Sequence, residues 1–439
     1  MFTDRYGLAL STPVSAAADH YIAAADLLLA NQPGAELAIQ AALSADPEFG
    51  MGHAALARHH QMWGRATEAR AAIANARKYS AKATRREQQH IALQATLISG
   101  DAPQALCMLL EHLEDFPRDA LALGMALGAF GMLAFSGRPD HDAARLVMTE
   151  GLARAYGDDW WYLCYLAWAH IEVGSLVAGE QYIEKSLARK SDNANGMHVF
   201  AHLAYEQNRA SEANARLDFM SANYSGKALL HNHLRWHVAL GELAAGRAGA
   251  ALQIYDQYLS PEVATAAPIT AISDAVSLLW RIDVAGQESG ITAAAGSDSE
   301  RPTKLRWQAL RESVRARHYQ PTVAFLDVHV AALFGSAEER PVFEALVAQI
   351  NESVNSRRLP AGLTSPALCR ALQAFAQGDY EETIRLLEAN LGNIARIGGS
   401  GAQRDLFEET LARAYQCVGR TRERNQLLVW GQLRAVGRQ

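Results

Sequence analysis

Apolar residues recur every three to four positions through almost the whole chain, as in "ALARHHQMWGRATEARAAIANA" (55–76) and "ALQAFAQGDYEETIRLLEANL" (371–391). Alternating runs of Val, Ile or Thr that would mark strands are missing, so the pattern predicts an all-α chain. Turn-forming residues punctuate it at Pro33, Gly64, Gly100, Gly137, Gly174, Asn208 and Gly246, in steps of 31, 36, 37, 37, 34 and 38 residues. Each mark falls between two helical stretches, so the predicted unit is a helical hairpin. A hairpin of that size cannot bury its apolar face alone, and successive units must stack.

The rhythm falters between 258 and 317, where "SPEVATAAP" (260–268) and "AGQESGITAAAGSDSERP" (285–302) gather Gly, Ser, Pro and charge. Beyond it Gly335, Gly378 and Gly419 resume the marks at steps of 43 and 41 residues. The predicted organisation is one array over 1–286, a loop or linker over 287–303, and further hairpins over 304–439 that continue the array, roughly ten units in all.

Composition adds exclusions. With 41 basic against 47 acidic residues the net charge is −6, and no Lys/Arg-rich run interleaved with aromatics tracks a phosphate backbone, so nucleic acid is not an expected partner. No window approaches the roughly 18 uninterrupted apolar residues of a membrane span, and the start lacks a basic, then apolar leader, so the expected address is cytoplasmic. Cys107, Cys164, Cys369 and Cys417 form no CxxC pair and read as buried, reduced thiols.

The hairpins resemble the tetratricopeptide repeat. Gly64 with Ala69, Gly100 with Ala105 and Gly246 with Ala251 match its turn glycine and second-helix alanine, although its signature tryptophan and late proline are mostly absent. The resemblance implies a right-handed solenoid. The runs "DDWWYLCYLAWAHIEVG" (158–174), "HVFAHLAYE" (198–206), "HLRWHVALGELAAG" (233–246), "ALQIYDQYL" (251–259) and "DAVSLLWRIDVAG" (274–286) are similar to the tetratricopeptide repeat protein 38-like family. That likeness implies a fold and a region of interest, not a reaction. It departs from the family pattern after the first histidine pair, where Tyr205 stands at the place expected for a glutamate and Glu206 follows one residue later.

In the tetratricopeptide unit, positions 2, 5, 6, 9, 12 and 13 of the first helix face the concave groove, with the turn residue at 15. Counting from Asn208 places His198, His202, Tyr205 and Glu206 on that face, and counting from Gly246 adds His233 and His237. Marks at Gly100, Gly174, Gly286 and Gly335 add His90 and Glu87, Trp161 and Trp168, Ser277, Trp280 and Asp283, and His329. Glu87 also fits a capping box with Thr84.

Two His–His pairs at i,i+4 on successive first helices exceed the ~0.5 pairs expected at random for 15 histidines. Their spacing suits a shared ligand, or zinc or another divalent metal on His198, His202, His233 and His237. HxxxH lacks the internal glutamate of HExxH, so the main expectation is a site without a metal. The expected function is that of a ligand-binding repeat protein whose groove holds a small molecule or short peptide. One alternative is a hydrolase or lyase with His202 and His237 as acid/base groups, Glu206 or Asp274 orienting them, and Trp168 or Trp280 as an apolar wall. A second is a protein-interaction scaffold with Arg58 and Arg235 as the few groove cations.

Overall fold

The computed structural model describes residues 2–288, 303–336 and 339–436. Among these residues the only strands are β1 (Phe2–Thr3) and β2 (Ala9–Leu10), a short antiparallel pair; everything else regular is helical.

In the first third, helices α1 (Ser15–Leu29), α2 (Ala35–Ala45), α3 (Gly50–Met62), α4 (Ala66–Tyr79), α5 (Arg85–Ile98), α6 (Ala102–Asp115) and α7 (Ala120–Leu127) follow one another. After an irregular passage through Gly137 come α8 (His141–Gly151), α9 (Ala153–Tyr156), α10 (Trp160–Glu172), α11 (Leu176–Arg189), α12 (Ala194–Glu206), α13 (Ala210–Ser221), α14 (His231–Ala244) and α15 (Ala248–Ile254). The last third holds α16 (Pro268–Glu288), α17 (Lys304–Ala316), α18 (Ala324–Leu333), α19 (Arg340–Asn355), α20 (Thr364–Ala376), α21 (Tyr380–Asn390), α22 (Gly401–Cys417) and α23 (Thr421–Val436).

The punctuation acts as expected. Gly64, Gly100, Gly137, Gly174, Gly246, Gly378, Gly419 and Asn208 all take positive φ, the left-handed turn that ends a helix and satisfies its last carbonyls. Asp101, Asp119, Asp159 and Asp379 cap α6, α7, α10 and α21 through their side chains, and the Thr84–Glu87 box caps α5.

Two marks differ. Gly286 lies inside α16, where a lone glycine costs about 1 kcal/mol and does not stop a helix held by its buried face. Gly335 is not left-handed; a Cβ there would stand 3.4 Å from the Gln373 Cα, so it admits the close approach of α20 to the end of α18. Of the expected linker, residues 289–302 lie outside the described residues.

Paired helices pack against each other and against their neighbours: α1 with α2, α3 with α4, α5 with α6, α10 with α11 and α20 with α21. First helices also touch in succession, α10 with α12, α12 with α14, α14 with α16, α16 with α18 and α18 with α20. The core is accordingly a series of clusters, one drawn from residues 10–91, the next mostly from 93–166, then 164–203, and the largest from 236–415.

Both ends fold back on the middle of the chain. The end of α1 meets the start of α12, where Ala194 N donates to Ala30 O (3.0 Å) and Asn195 Nδ2 to Leu29 O (2.8 Å). From the other side, Arg396 donates to Gly137 O (2.8 Å), and α22 crosses to pack on α12 and α16. In the passage Ile397–Gly401 that feeds α22 there is no room for a side chain at its two middle glycines: a Cβ at Gly398 would lie 2.6 Å from Phe135 and one at Gly399 2.5 Å from Phe325, and both residues have positive φ. Among the described residues no helix is long and apolar enough to cross a membrane. Cys164 and Cys369 are buried as expected, whereas Cys107 and Cys417 are exposed, lying on outward helix faces.

Candidate metal centre

The four histidines of the two HxxxH pairs meet. α12 and α14 are adjacent first helices, and each is seated by a glycine. A Cβ at Gly196 would lie 2.7 Å from Leu187 Cδ2, and one at Gly241 would lie 2.5 Å from Asn214 Oδ1 and 2.8 Å from Ala210 O. These close approaches press α12 onto α11 and α14 onto α13, which turns the histidine faces toward one another.

His198 Nε2 stands 2.9 Å from His202 Nε2 and 3.1 Å from His233 Nε2. One ring nitrogen of each of His198, His202, His233 and His237 lies within 4.8 Å of the others. Ring centroids are 4.5 Å apart for His202 and His237 and 4.9 Å for His233 and His237. His202, His233 and His237 are buried and His198 half-buried.

Protons satisfy this geometry only by sharing one N–H between two acceptors, a weaker arrangement than two linear bonds. An imidazole nitrogen has one in-plane site, filled by either a proton or a lone pair. His198 Nε2 therefore serves one nitrogen partner fully, yet two stand at contact distance. A cation among three lone pairs satisfies all of them. Nitrogens bound at 2.0–2.1 Å to one ion lie about 2.9 Å apart at a right angle and about 3.4 Å apart at the tetrahedral angle, which brackets the observed contacts.

The surroundings hold the rings neutral and oriented. Burial lowers His198, His202 and His237 well below the usual imidazole range, and the neighbouring histidines push them further. His233 Nδ1 is 2.7 Å from Asp274 Oδ2, which fixes its other nitrogen toward the cluster. His202 Nδ1 faces Glu172 Oε1 at 3.6 Å. Such carboxylate–imidazole pairs are the usual outer shell of a metal site.

Glu172 is pushed up to about 7 by burial and by nearby Asp142, against the pull of Arg404, Arg145 and the Gly401 N–H, which donates to Glu172 Oε2 at 2.8 Å. Arg404 in turn pairs with Asp142 at 2.7 Å, and Asp142 with Arg145 at 2.6 Å. Trp168 stacks on His198 (5.6 Å) and Trp236 on His233 (5.2 Å). Around the cluster His237 Nε2, His202 Nδ1, Glu172 Oε1, Asp274 Oδ1, Trp168 Nε1 and Trp236 Nε1 are buried without hydrogen-bond partners. These unmet polar atoms around one cluster are groups that an ion or ordered water would satisfy.

Of the expected site residues, His198, His202, His233, His237, Trp168 and Asp274 come together. Tyr205 and Glu206 turn toward α22: the Tyr205 hydroxyl donates to Asp405 at 3.1 Å, and Glu206 Oε1 would lie 2.9 Å from a Cβ at Gly401. Trp280 donates to Thr410 Oγ1 at 2.9 Å and packs on Phe375. Trp161 sits in an aromatic group with Tyr156 and Tyr165.

His90 belongs to a second buried group. Its Nδ1 is 3.0 Å from Asp119, which also meets His112 Nε2 at 3.1 Å and Arg86 at 3.3 Å and caps α7. Ala122 N and these three side chains share one carboxylate, so that knot joins α5, α6 and α7 and reads as structural. His329 is buried near Arg281, its pKa lowered to about 4 by burial, and Nδ1 contacts Phe325 O at 2.7 Å.

Glu172 and Tyr165 were not among the expected site residues. Counted from Gly174 they occupy positions 13 and 6, both groove-facing, so the register carried the signal. Arg404 and Asp405 had no such signal, since α22 reaches the site by long-range docking. The chain matches no known protein-family model.

Proposed function

We propose that this protein is a helical-repeat metalloenzyme of the hydrolase or lyase type, acting on a small molecule at a divalent transition ion held by His198, His202, His233 and His237. The observation that carries it is the pair of Nε2–Nε2 contacts at 2.9 and 3.1 Å converging on one His198 nitrogen, which a single proton serves only as a shared three-centre bond and a bound cation serves fully. An all-imidazole donor set suits zinc, iron, nickel or copper over magnesium or calcium. Such an ion supplies Lewis acidity and a bound water of lowered pKa. His198, the member with accessible surface, marks the side from which a ligand arrives.

On this reading His202 and His237 are ligands in place of acid/base groups, and Asp274 and Glu172 orient His233 and His202. The fold reading that goes with it is a right-handed solenoid of roughly ten tetratricopeptide-like hairpins, of the tetratricopeptide repeat protein 38-like type, wound tightly enough to enclose its inner face. The peptide-scaffold reading has less support, because α22 of the chain itself packs where an extended peptide would lie.

The test is elemental analysis of protein made without a histidine tag, together with cobalt(II) titration of chelator-treated protein. About one ion per chain and visible cobalt d–d bands, both absent from a His202→Ala/His237→Ala variant, are expected. No bound transition metal and no cobalt bands in the folded wild type would overturn the proposal. A metal-dependent turnover screen of small esters and amides then separates catalysis from storage.

A further inference from the structure

Among the described residues, Arg58 stands out as a groove-register cation with no carboxylate at ion-pair distance. Arg58, on α3, makes a single side-chain hydrogen bond, to Gln61 Oε1 at 2.9 Å. Among the described residues no carboxylate pairs with it or raises its pKa, and only Tyr165 opposes the lowering caused by burial. Arg86, Arg145, Arg281 and Arg404 each meet a carboxylate at 2.6–3.3 Å. Arg58 is nevertheless half-buried, so it keeps surface that a ligand can reach while sitting deep enough for burial to govern its charge.

Tyr165 lies close enough for its charge state to act on Arg58, and it leads toward the histidines. Tyr165 is on α10, and Trp168 lies one turn further along the same face, about 5–6 Å away; its ring stacks on His198. Tyr165 is itself half-buried and packed on Trp161 at 5.1 Å, and burial raises its phenol above the ordinary range, so it stays a neutral, positioned O–H donor. The order along the interior is guanidinium, phenol, indole, imidazole cluster.

We propose that the molecule this site takes carries a carboxylate, held by the Arg58 guanidinium with the Tyr165 hydroxyl beside it, while an apolar body lies along Trp168 and the reacting group reaches the four histidines. An unpaired buried charge is costly, and an arriving anion removes that cost. One guanidinium, with no second unpaired cation beside it among the described residues, matches a monoanion, which favours a carboxylate over a phosphate dianion. The inference rests on the four-histidine reading for the fate of the ligand, and on Arg58 alone for its charge.

The experiment measures binding by thermal shift and calorimetry for benzoate and hexanoate, their neutral amides benzamide and hexanamide, and inorganic phosphate. Wild-type protein is compared with Arg58→Gln, Arg58→Lys and Tyr165→Phe, with metal content measured for each. The acids are expected to bind and the amides not to. Arg58→Gln is expected to weaken the acids about 10- to 100-fold while raising the melting temperature of the free protein, because it removes an unpaired charge. Arg58→Lys should restore part of the affinity, and all three variants should keep the wild-type metal content.

Equal binding of acid and amide, unchanged acid binding in Arg58→Gln, Arg58-dependent binding of phosphate alone, or no binding by any compound would each overturn the proposal. Arg58-dependent acid binding to protein that takes up no metal would keep this inference and remove the metal reading. Metal-loaded protein whose acid binding ignores Arg58 would do the reverse.

Discussion

His198 and His233 come from helices 35 residues apart in sequence, yet they face each other Nε2 to Nε2 at 3.1 Å, with Asp274 behind His233 at 2.7 Å. Asp274 orients His233 by accepting its Nδ1 proton, which turns the other ring nitrogen toward the cluster. Asp274→Asn keeps the shape and removes the charge. Metal affinity should fall about 10- to 100-fold, read by competition with a chelating dye, while the fold is retained. Affinity within twofold of wild type would refute the assigned role.

The buried imidazoles also set an acid limit. His198, His202 and His237 are lowered in the folded chain, so the unfolded chain binds more protons below its own pKa of about 6.5. Their stabilising effect is fully present above about pH 6.5 and is lost as pH falls toward the folded values. While three protons separate the states, the slope is about 4 kcal/mol per pH unit. Urea midpoints of metal-free protein between about pH 7.5 and 5.5 check this, and His237→Gln should reduce the slope by about one proton. A flat profile over that range would contradict it.

Gly241 is a packing requirement. Alanine there would bring Cβ to 2.5 Å from Asn214 Oδ1 and 2.8 Å from Ala210 O, both on α13. The expected cost is about 1–3 kcal/mol, and because α14 must move to admit the methyl, cobalt bands should weaken as well. Gly249→Ala is the control, since nothing lies within 4 Å of the new atom. Equal stability of the two variants would show that α14 does not depend on this contact.

Arg404 joins α22 to the histidine region through Asp142 at 2.7 Å and Glu172 at 3.9 Å. Arg404→Met leaves both carboxylates buried with less compensation, although Arg145 still holds Asp142. The expected loss is about 3 kcal/mol in denaturant unfolding. Limited proteolysis should then cut first around α22, and wild-type cleavage kinetics would count against its docking role.

The helical class, the capping box at Thr84–Glu87 and the left-handed turns were legible in the sequence because each depends on residues within one or two turns of chain. The meeting of His198, His202, His233 and His237 was legible for a related reason. Adjacent first helices share a register, so equivalent positions face the same way. Trp280 and Tyr205 show where that logic stops. Their partners, Thr410 and Asp405, lie 130 and 200 residues away on α22, and no periodicity reports a contact made by a helix that crosses the array. Glu206 was expected to serve a histidine; Glu172, on the preceding first helix, is the carboxylate that faces His202 Nδ1, at 3.6 Å.

The docking of α22 also bears on synthesis. Gly401 lies 164 residues beyond His237 in the chain, so the four histidines leave the ribosome long before the helix that packs on α12 and α16 beside them. At elongation rates of about 5–20 residues per second, that interval lasts roughly ten to thirty seconds. During it, the imidazoles face the surrounding solution without the helix that later packs beside them. On the metal reading proposed above, which ion is bound would then reflect what the cell offers in that interval as much as the preference of the finished site.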